Sequence, residues 1–494
     1  MRGHRVSLLV AAVLAVAVTG PTSDGEVAAS GPPSAVAVSL GWVHTCALTE
    51  AGGVMCWGHN KNNELGDGTN VDRWRPVGVS GLGGDARALT RGARHGCVLS
   101  TGNGVKCWGY NYYGQLGDGT NANRSGAVDV SALEGGVSAV SAGAFHTCAL
   151  TSGGGVECWG DNSRGQLGDG TTQERWTPVG VSGLSSGAVA VAGGDSHSCA
   201  VLRGGGVKCW GDNQYGQLGD GTTNRHPTPV QVRGLSGDAT ALALGHRQSC
   251  ALLTGGAVRC WGGNEFGQVG DGTTRRRLAA VGVSGLTAGV IAIAAGDSHT
   301  CALLRVGAMK CWGYNDWGQL GDGTQVNRLR PVGVSGMVSG VTAIAAGAFH
   351  TCAGTRTDNA KCWGYNANGQ LGDGTPEQRS RPVYALGLGT APVTLSIVPG
   401  SPVVGRERVV PVRLRCGAAG ACRGTVWLSA RVRLGSTAFS LAASTTAAVK
   451  VKLGRRGLGL PARGSRLPAR VHVRFVQADG TTSEQSRPII LRTL

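Results

Sequence analysis

Fourteen of the sixteen cysteines fall on two interleaved ladders, Cys46, Cys97, Cys148, Cys199, Cys250, Cys301, Cys352 and Cys56, Cys107, Cys158, Cys209, Cys260, Cys311, Cys362, every step being 51 residues and every pair ten apart. His44, His95, His146, His197, His299 and His350 each stand two residues before the first cysteine of a pair. Such spacing allows three kinds of chemistry: a disulfide per pair, buried free thiols packed as small apolar groups, or a His, Cys, Cys set offering three zinc ligands. The fifth unit has Gln248 in place of the histidine and keeps Cys250 and Cys260. Losing the His without the cysteines favours a disulfide beside a structural His, so no metal is expected. The segment TCALTEAGGVMC holds a Gly-containing turn about Ala51, which sets Cys46 opposite Cys56 in a hairpin. Facing residues of an antiparallel pair lie roughly 4.5 to 5.5 Å apart at Cα, within disulfide reach. Seven cross-strand bridges are predicted, each contributing roughly 2 to 3 kcal/mol in the chain-entropy account.

Other chemistry-bearing strings are weaker. GDGT and the Asn of W-G-x-N suit tight β turns better than calcium, and no EF-hand spacing is present. Gly183-Leu184-Ser185-Ser186-Gly187 matches the nucleophile-elbow string but lacks its strand, elbow and helix context. No triad or carboxylate pair is apparent, and no unmatched carboxylate or histidine is expected to face a central channel outside the rim described below. We therefore expect no enzyme, no catalytic residue and no cofactor.

The elements that position these residues repeat with them. Each unit carries Trp-Gly at Trp57, Trp108, Trp159, Trp210, Trp261, Trp312 and Trp363, an Asn two residues beyond that Gly, then GDGT. Glycine supplies 86 of 494 residues without a collagen period, which excludes collagen and helical bundles. Seven short units of alternating apolar residues between Gly-rich turns predict an all-β ring of small antiparallel sheets. If the blades are cut at the Trp-Gly strand, the N-terminal strands complete the blade begun by Lys361 to Gly364 and latch the ring.

The pattern G-x-x-H-T-C-A-L, then G-V-x-C-W-G-x-N-x-x-G-Q-L-G-D-G-T, then R-x-x-P-V-x-V resembles the regulator of chromosome condensation repeat family, with its alpha-tubulin suppressor-like bacterial members. The resemblance spans residues 36–388 and implies a seven-bladed β-propeller. It also implies guanine-nucleotide exchange as an alternative function, but the exchange member's inserted wedge has no counterpart in a Cys period that never varies. A propeller hydrolase or lyase is a further alternative. Secreted propellers of this family include a β-lactamase inhibitor that binds through one rim.

Hairpin geometry puts the residues before each His and those after each Trp-Gly on one rim. There the units differ: Trp42, His59, Arg94, Tyr110, Tyr112, Tyr113, Phe145, Asp161, Asp195, Asp212, Tyr215, His246, Arg247, Phe266, Asp297, Tyr314, Trp317, Phe349 and Tyr365. Aromatic and charged residues on rigid loops are the makings of a surface for a protein or glycan partner.

The flanks add a compartment and a charge. Arg2, His4 and Arg5 precede an apolar run from Val6 to Val18, which predicts a signal peptide over residues 1–29 and a secreted or envelope-associated product with no membrane span left. Residues 389–494 hold 17 Arg+Lys against 3 Asp+Glu, so +14 of the net +17 lies there. Their short strands predict a small immunoglobulin-like β-sandwich, with Cys416 and Cys422 forming a local bridge. Basic residues at spacing two, Arg413 and Arg415, Arg431 and Arg433, Lys450 and Lys452, Arg470 and Arg474, fall on one face of a strand, and a positive sheet built from them is expected to bind a cell-wall polyanion, an acidic polysaccharide or nucleic acid and so tether the protein to the envelope.

Overall fold

In a computed structural model the described residues are 35–356, 360–388, 395–397, 403–404, 409–416, 422–430, 433–441, 446–453, 466–476 and 482–493. The proposed signal peptide lies outside them. The chain divides into two units, Met1–Gly389 and Thr390–Leu494.

The first unit holds seven four-stranded antiparallel sheets, each built from consecutive strands. Blade 1 is β1 (Ala35–Leu40), β2 (His44–Thr49), β3 (Val54–Gly58) and β4 (Arg73–Gly78); blade 7 is β25 (Val341–Ala346), β26 (His350–Thr355), β27 (Ala360–Gly364) and β28 (Arg379–Tyr384). The strand-exchange latch is therefore wrong, because Lys361–Gly364 belong to a blade completed by its own strands. The ring closes instead through side chains. Trp57 Nε1–H donates to the Gln370 carbonyl at 2.9 Å, and Thr45 donates to the same oxygen at 2.8 Å.

That closure repeats at every seam. The Trp of each Trp-Gly pair is fully buried and donates to the carbonyl of residue 370, 64, 115, 166, 217, 268 or 319 in the preceding blade. The glycine two residues beyond each of these carbonyls allows this approach. At Gly168, φ is +73° and an added Cβ would sit 2.7 Å from Trp210 Nε1, so only glycine fits.

The second unit has one core shared by a three-stranded sheet, β29 (Leu395–Ile397), β31 (Val409–Cys416) and β34 (Thr446–Lys452), and a five-stranded sheet in the order β30 (Val403–Val404), β36 (Thr482–Thr493), β35 (Arg466–Val476), β32 (Cys422–Ser429), β33 (Arg433–Leu441). Val410, Val412 and Leu414 from one sheet and Val426, Val471 and Val473 from the other are buried together. The side chains of Cys416 and Cys422, like Arg431 and the Arg433 side chain, lie outside the described residues.

Candidate functional site

The seven cysteine pairs are disulfides, with Cα separations of 4.0 to 4.1 Å. Each joins residues in direct register, as Cys148 with Cys158. The histidines beside them turn to the neighbouring blade. His146 Nε2 lies 2.8 Å from Ser198 Oγ, and Ser198 spends its own proton on the Gln166 carbonyl at 2.9 Å, so the imidazole is the donor. His95 with Thr147, His197 with Ser249, His299 with Thr351 and His350 with Thr45 repeat this contact. These are Ser/Thr–His pairs that single-unit reading missed, since the partners are 52 residues apart around most of the ring. Both groups are fully buried, and desolvation holds His95, His197 and His350 at about 3. They are structural donors, without access to substrate.

GDGT is likewise a turn. Asn60 Oδ1 accepts from Leu65 N–H and its amide donates to Asp67. Burial opposes the Asp67 charge, but hydrogen bonds from Thr69 and Arg73 outweigh it and hold the carboxyl below its usual range. Equivalent carboxylates at Asp118, Asp169, Asp271 and Asp322 are held in the same way. Among the described residues no cluster of His, Cys, Asp or Glu could hold a metal.

The rim residues come together as one surface because the amide after each Trp-Gly bonds the carbonyl before each His: His59 to Val43, Tyr110 to Arg94, Asp161 to Phe145, Asp212 to Ser196, Tyr314 to Ser298 and Tyr365 to Phe349. The surface is divided into sectors. Trp42, Tyr110, Tyr112, Tyr113 and Phe145 form one aromatic cluster with ring centroids 5.0 to 6.4 Å apart, and Tyr112 is 62% exposed. Phe266 packs on Tyr314, and Tyr365 contacts both Trp317 and Phe349. Between these sectors, Arg247 lies over Tyr215 at 4.1 Å and pairs with Glu265. Arg276, a residue the rim reading missed because it enters from the loop before the outer strand of the next unit, covers the same ring at 5.2 Å. Asp161 and Asp212 accept from Gln166 and Gln217, and His59 pairs with Glu64.

Trp42, Asp195, His246 and Asp297 occupy the rim but also line the central cavity formed by the first strand of each blade. His246 Nδ1 is 3.0 Å from Asp297 and its Nε2 3.6 Å from Asp195. The Asp297 hydrogen bond, against some desolvation, raises the His246 pKa, while burial raises that of Asp195. Successive blades bring these three positions side by side, a neighbour relation that 51-residue spacing hides from one unit.

In the second unit the basic residues do not share one face. Arg413, Arg415, Lys450 and Lys452 are exposed on the three-stranded sheet, whereas Arg470 and Arg474 project from the five-stranded sheet, because alternation within each strand gives every sheet its own outer face. On the latter Trp427 stacks on His472 with ring centroids 5.1 Å apart.

Comparison with known proteins agrees with this geometry. The RCC1-like domain profile matches residues 16–287, and the regulator of chromosome condensation (RCC1) repeat matches residues 307–353, with a second repeat profile at 290–319 and 341–370. The ultraviolet-B receptor UVR8 of Arabidopsis thaliana is 32% identical over 358 residues, 71% of this chain and 81% of that protein. The human E3 ubiquitin-protein ligase HERC2 is 30% identical over 354 residues, which are only 7% of its length. Among solved structures, yeast RCC1 (Prp20) bound to Kap60 superimposes with TM-score 0.61 at 22% identity, over 75% of this chain and 90% of that one. Human WBSCR16 gives 0.57 at 25% identity, over 64% and 85%. Seven four-stranded blades, their repeated seams and these matches together make the chain a member of the regulator of chromosome condensation (RCC1) repeat family.

Proposed function

We propose that this protein is a secreted binding scaffold whose propeller rim holds a protein partner, with the second unit tethering it to an envelope polymer. The observation that carries the rim reading is the five-ring cluster of Trp42, Tyr110, Tyr112, Tyr113 and Phe145, gathered from three blades onto rigid loops. Aromatic side chains lose little rotamer freedom on binding and dominate interface hot spots. Family membership supports protein binding: yeast RCC1 (Prp20) is bound to Kap60 in one solved structure, and Prp20p has binding properties toward Gsp1p and histones. Seven disulfides suit an oxidising compartment. The order of the strands in the second unit, first, second and fifth main strands against the others, supports the immunoglobulin-like reading.

The test is affinity capture from culture fluid with the wild-type chain and with a Tyr112→Ala/Tyr113→Ala/Trp317→Ala variant. We expect recovered chain beginning near residue 30 and a partner retained by the wild type alone. Partners unchanged by the triple substitution would overturn the rim reading.

A further inference from the structure

We infer that the three-stranded sheet of the second unit carries a linear binding site for an anionic polysaccharide, made by Lys452, Lys450, Arg413 and Arg415. The register places Val409 opposite Lys452, Pro411 opposite Lys450, Arg413 opposite Ala448 and Arg415 opposite Thr446. Four consecutive outward-facing rows thus hold one cation each, two on β34 and then two on β31, and all four side chains are exposed. Residues two apart on a strand are separated by ~6.8 Å, and diagonal neighbours across an antiparallel pair by ~7 to 8 Å. The four charges therefore form a nearly even diagonal line about 20 Å long. No two of them face each other directly, which spares the sheet like-charge repulsion.

The three strands LSI, VVPVRLRC and TAAVKVK contain no Asp or Glu, and among the described residues no carboxylate pairs with any of the four. The five-stranded sheet differs: Glu484 sits 3.1 Å from Arg474 and 3.9 Å from His472, and Arg470 donates to Ser486. Among the described residues all four cations of the smaller sheet thus stand without a paired carboxylate, whereas on the larger sheet Glu484 offsets Arg474.

Two features select the occupant. Duplex nucleic acid carries one charge per ~1.7 Å of axis, about four times denser than this line. Single strands are held by aromatic platforms on which bases stack, and the three strands contain no Phe, Tyr, Trp or His. A linear glycan with anionic groups several ångströms apart meets the cations one by one and needs no stacking surface.

This inference rests on reading the second unit as a polyanion tether, and the experiment separates the two. Binding of the full chain to heparin and to a single-stranded oligonucleotide of equal charge is measured across a salt series. The same is done for Arg413→Gln/Lys450→Gln and for the control Arg470→Gln/Arg474→Gln. We expect heparin to bind the wild type more tightly than the oligonucleotide. The first variant should lower the slope of log K against log salt by about two and weaken binding about tenfold or more, with the unfolding midpoint unchanged. The control should change the slope by less than half as much. Heparin binding that survives the first variant, or falls equally in the control, overturns the diagonal site while leaving the tether. Tighter oligonucleotide binding overturns the polysaccharide. Absence of binding to either polymer overturns both.

Discussion

The seam between blades 1 and 2 departs from the other six, and restoring the repeat there should stabilise the ring. Gly96 stands where six blades have Thr or Ser, Glu64 where the others have Gln, and Arg91 where they have Leu, Ala or Gly. Without a hydroxyl at 96, Arg91 Nη2 donates to the Glu64 carbonyl at 2.7 Å and its guanidinium lies 5.5 Å from the Trp108 centroid. The replacement is imperfect: Nε and Nη1 of Arg91 and both ring nitrogens of His44 are buried without partners. Desolvation pulls Arg91 down to about 9, opposed by Glu64. A buried polar group left unpaired costs about 1 to 3 kcal/mol. Gly96→Thr alone should destabilise, because its new Cβ would overlap Arg91 Nη1 and stand 2.7 Å from the Trp108 ring, which must also shift to admit it. Combined with Arg91→Ala and Glu64→Gln it should instead give His44 a hydroxyl to donate to, and that hydroxyl would donate in turn to the carbonyl of residue 64, raising stability by about 1 to 3 kcal/mol. The interaction energy between positions 91 and 96, read from urea unfolding of the two single variants and the double, should be about 2 kcal/mol or more. A harmless single Gly96→Thr, or a triple variant less stable than wild type, would refute the compensation.

Two further outcomes follow from the buried cysteines and histidines. Removing one staple with Cys148→Ala/Cys158→Ala should cost about 2 to 3 kcal/mol by denaturant unfolding, and the unreduced protein should be lighter than the reduced one by two hydrogen atoms per bridge. The pH profile is set by His95, His146, His197, His299 and His350, all depressed by burial to about 3 or 4. Their unfolded forms bind protons below about 6.5 while the folded forms do not, so stability is complete above that pH. It falls on acidification by about 1.4 kcal/mol per unit for each histidine, levelling only near the folded values. Acid unfolding should thus begin near pH 6 and be steep. His246 has the opposite sign: its raised pKa gives stability below 6.5 that is lost as pH rises through the folded value. A flat profile between pH 7 and 4.5 would contradict the neutral buried imidazoles.

Whatever depends on neighbours within one 51-residue unit is legible in the chain alone. The Ala51 turn puts Cys46 against Cys56, Gly-rich turns end each strand, and the His and Trp-Gly loops share a rim through local antiparallel pairing. Contacts between units, and the register of strands far apart in the chain, emerge only from the folded ring. His146 finds Ser198, and Asp195, His246 and Asp297 meet at the cavity mouth, because ring closure sets successive blades side by side. The latch reading failed because strand order alone cannot say where a blade begins. The basic pairs are legible strand by strand, but their grouping rests on which strands pair. Alternation fixes which side of its own strand a residue takes; sheet order and register, set by the shared core of Val410, Val426 and Val471, fix what it stands beside.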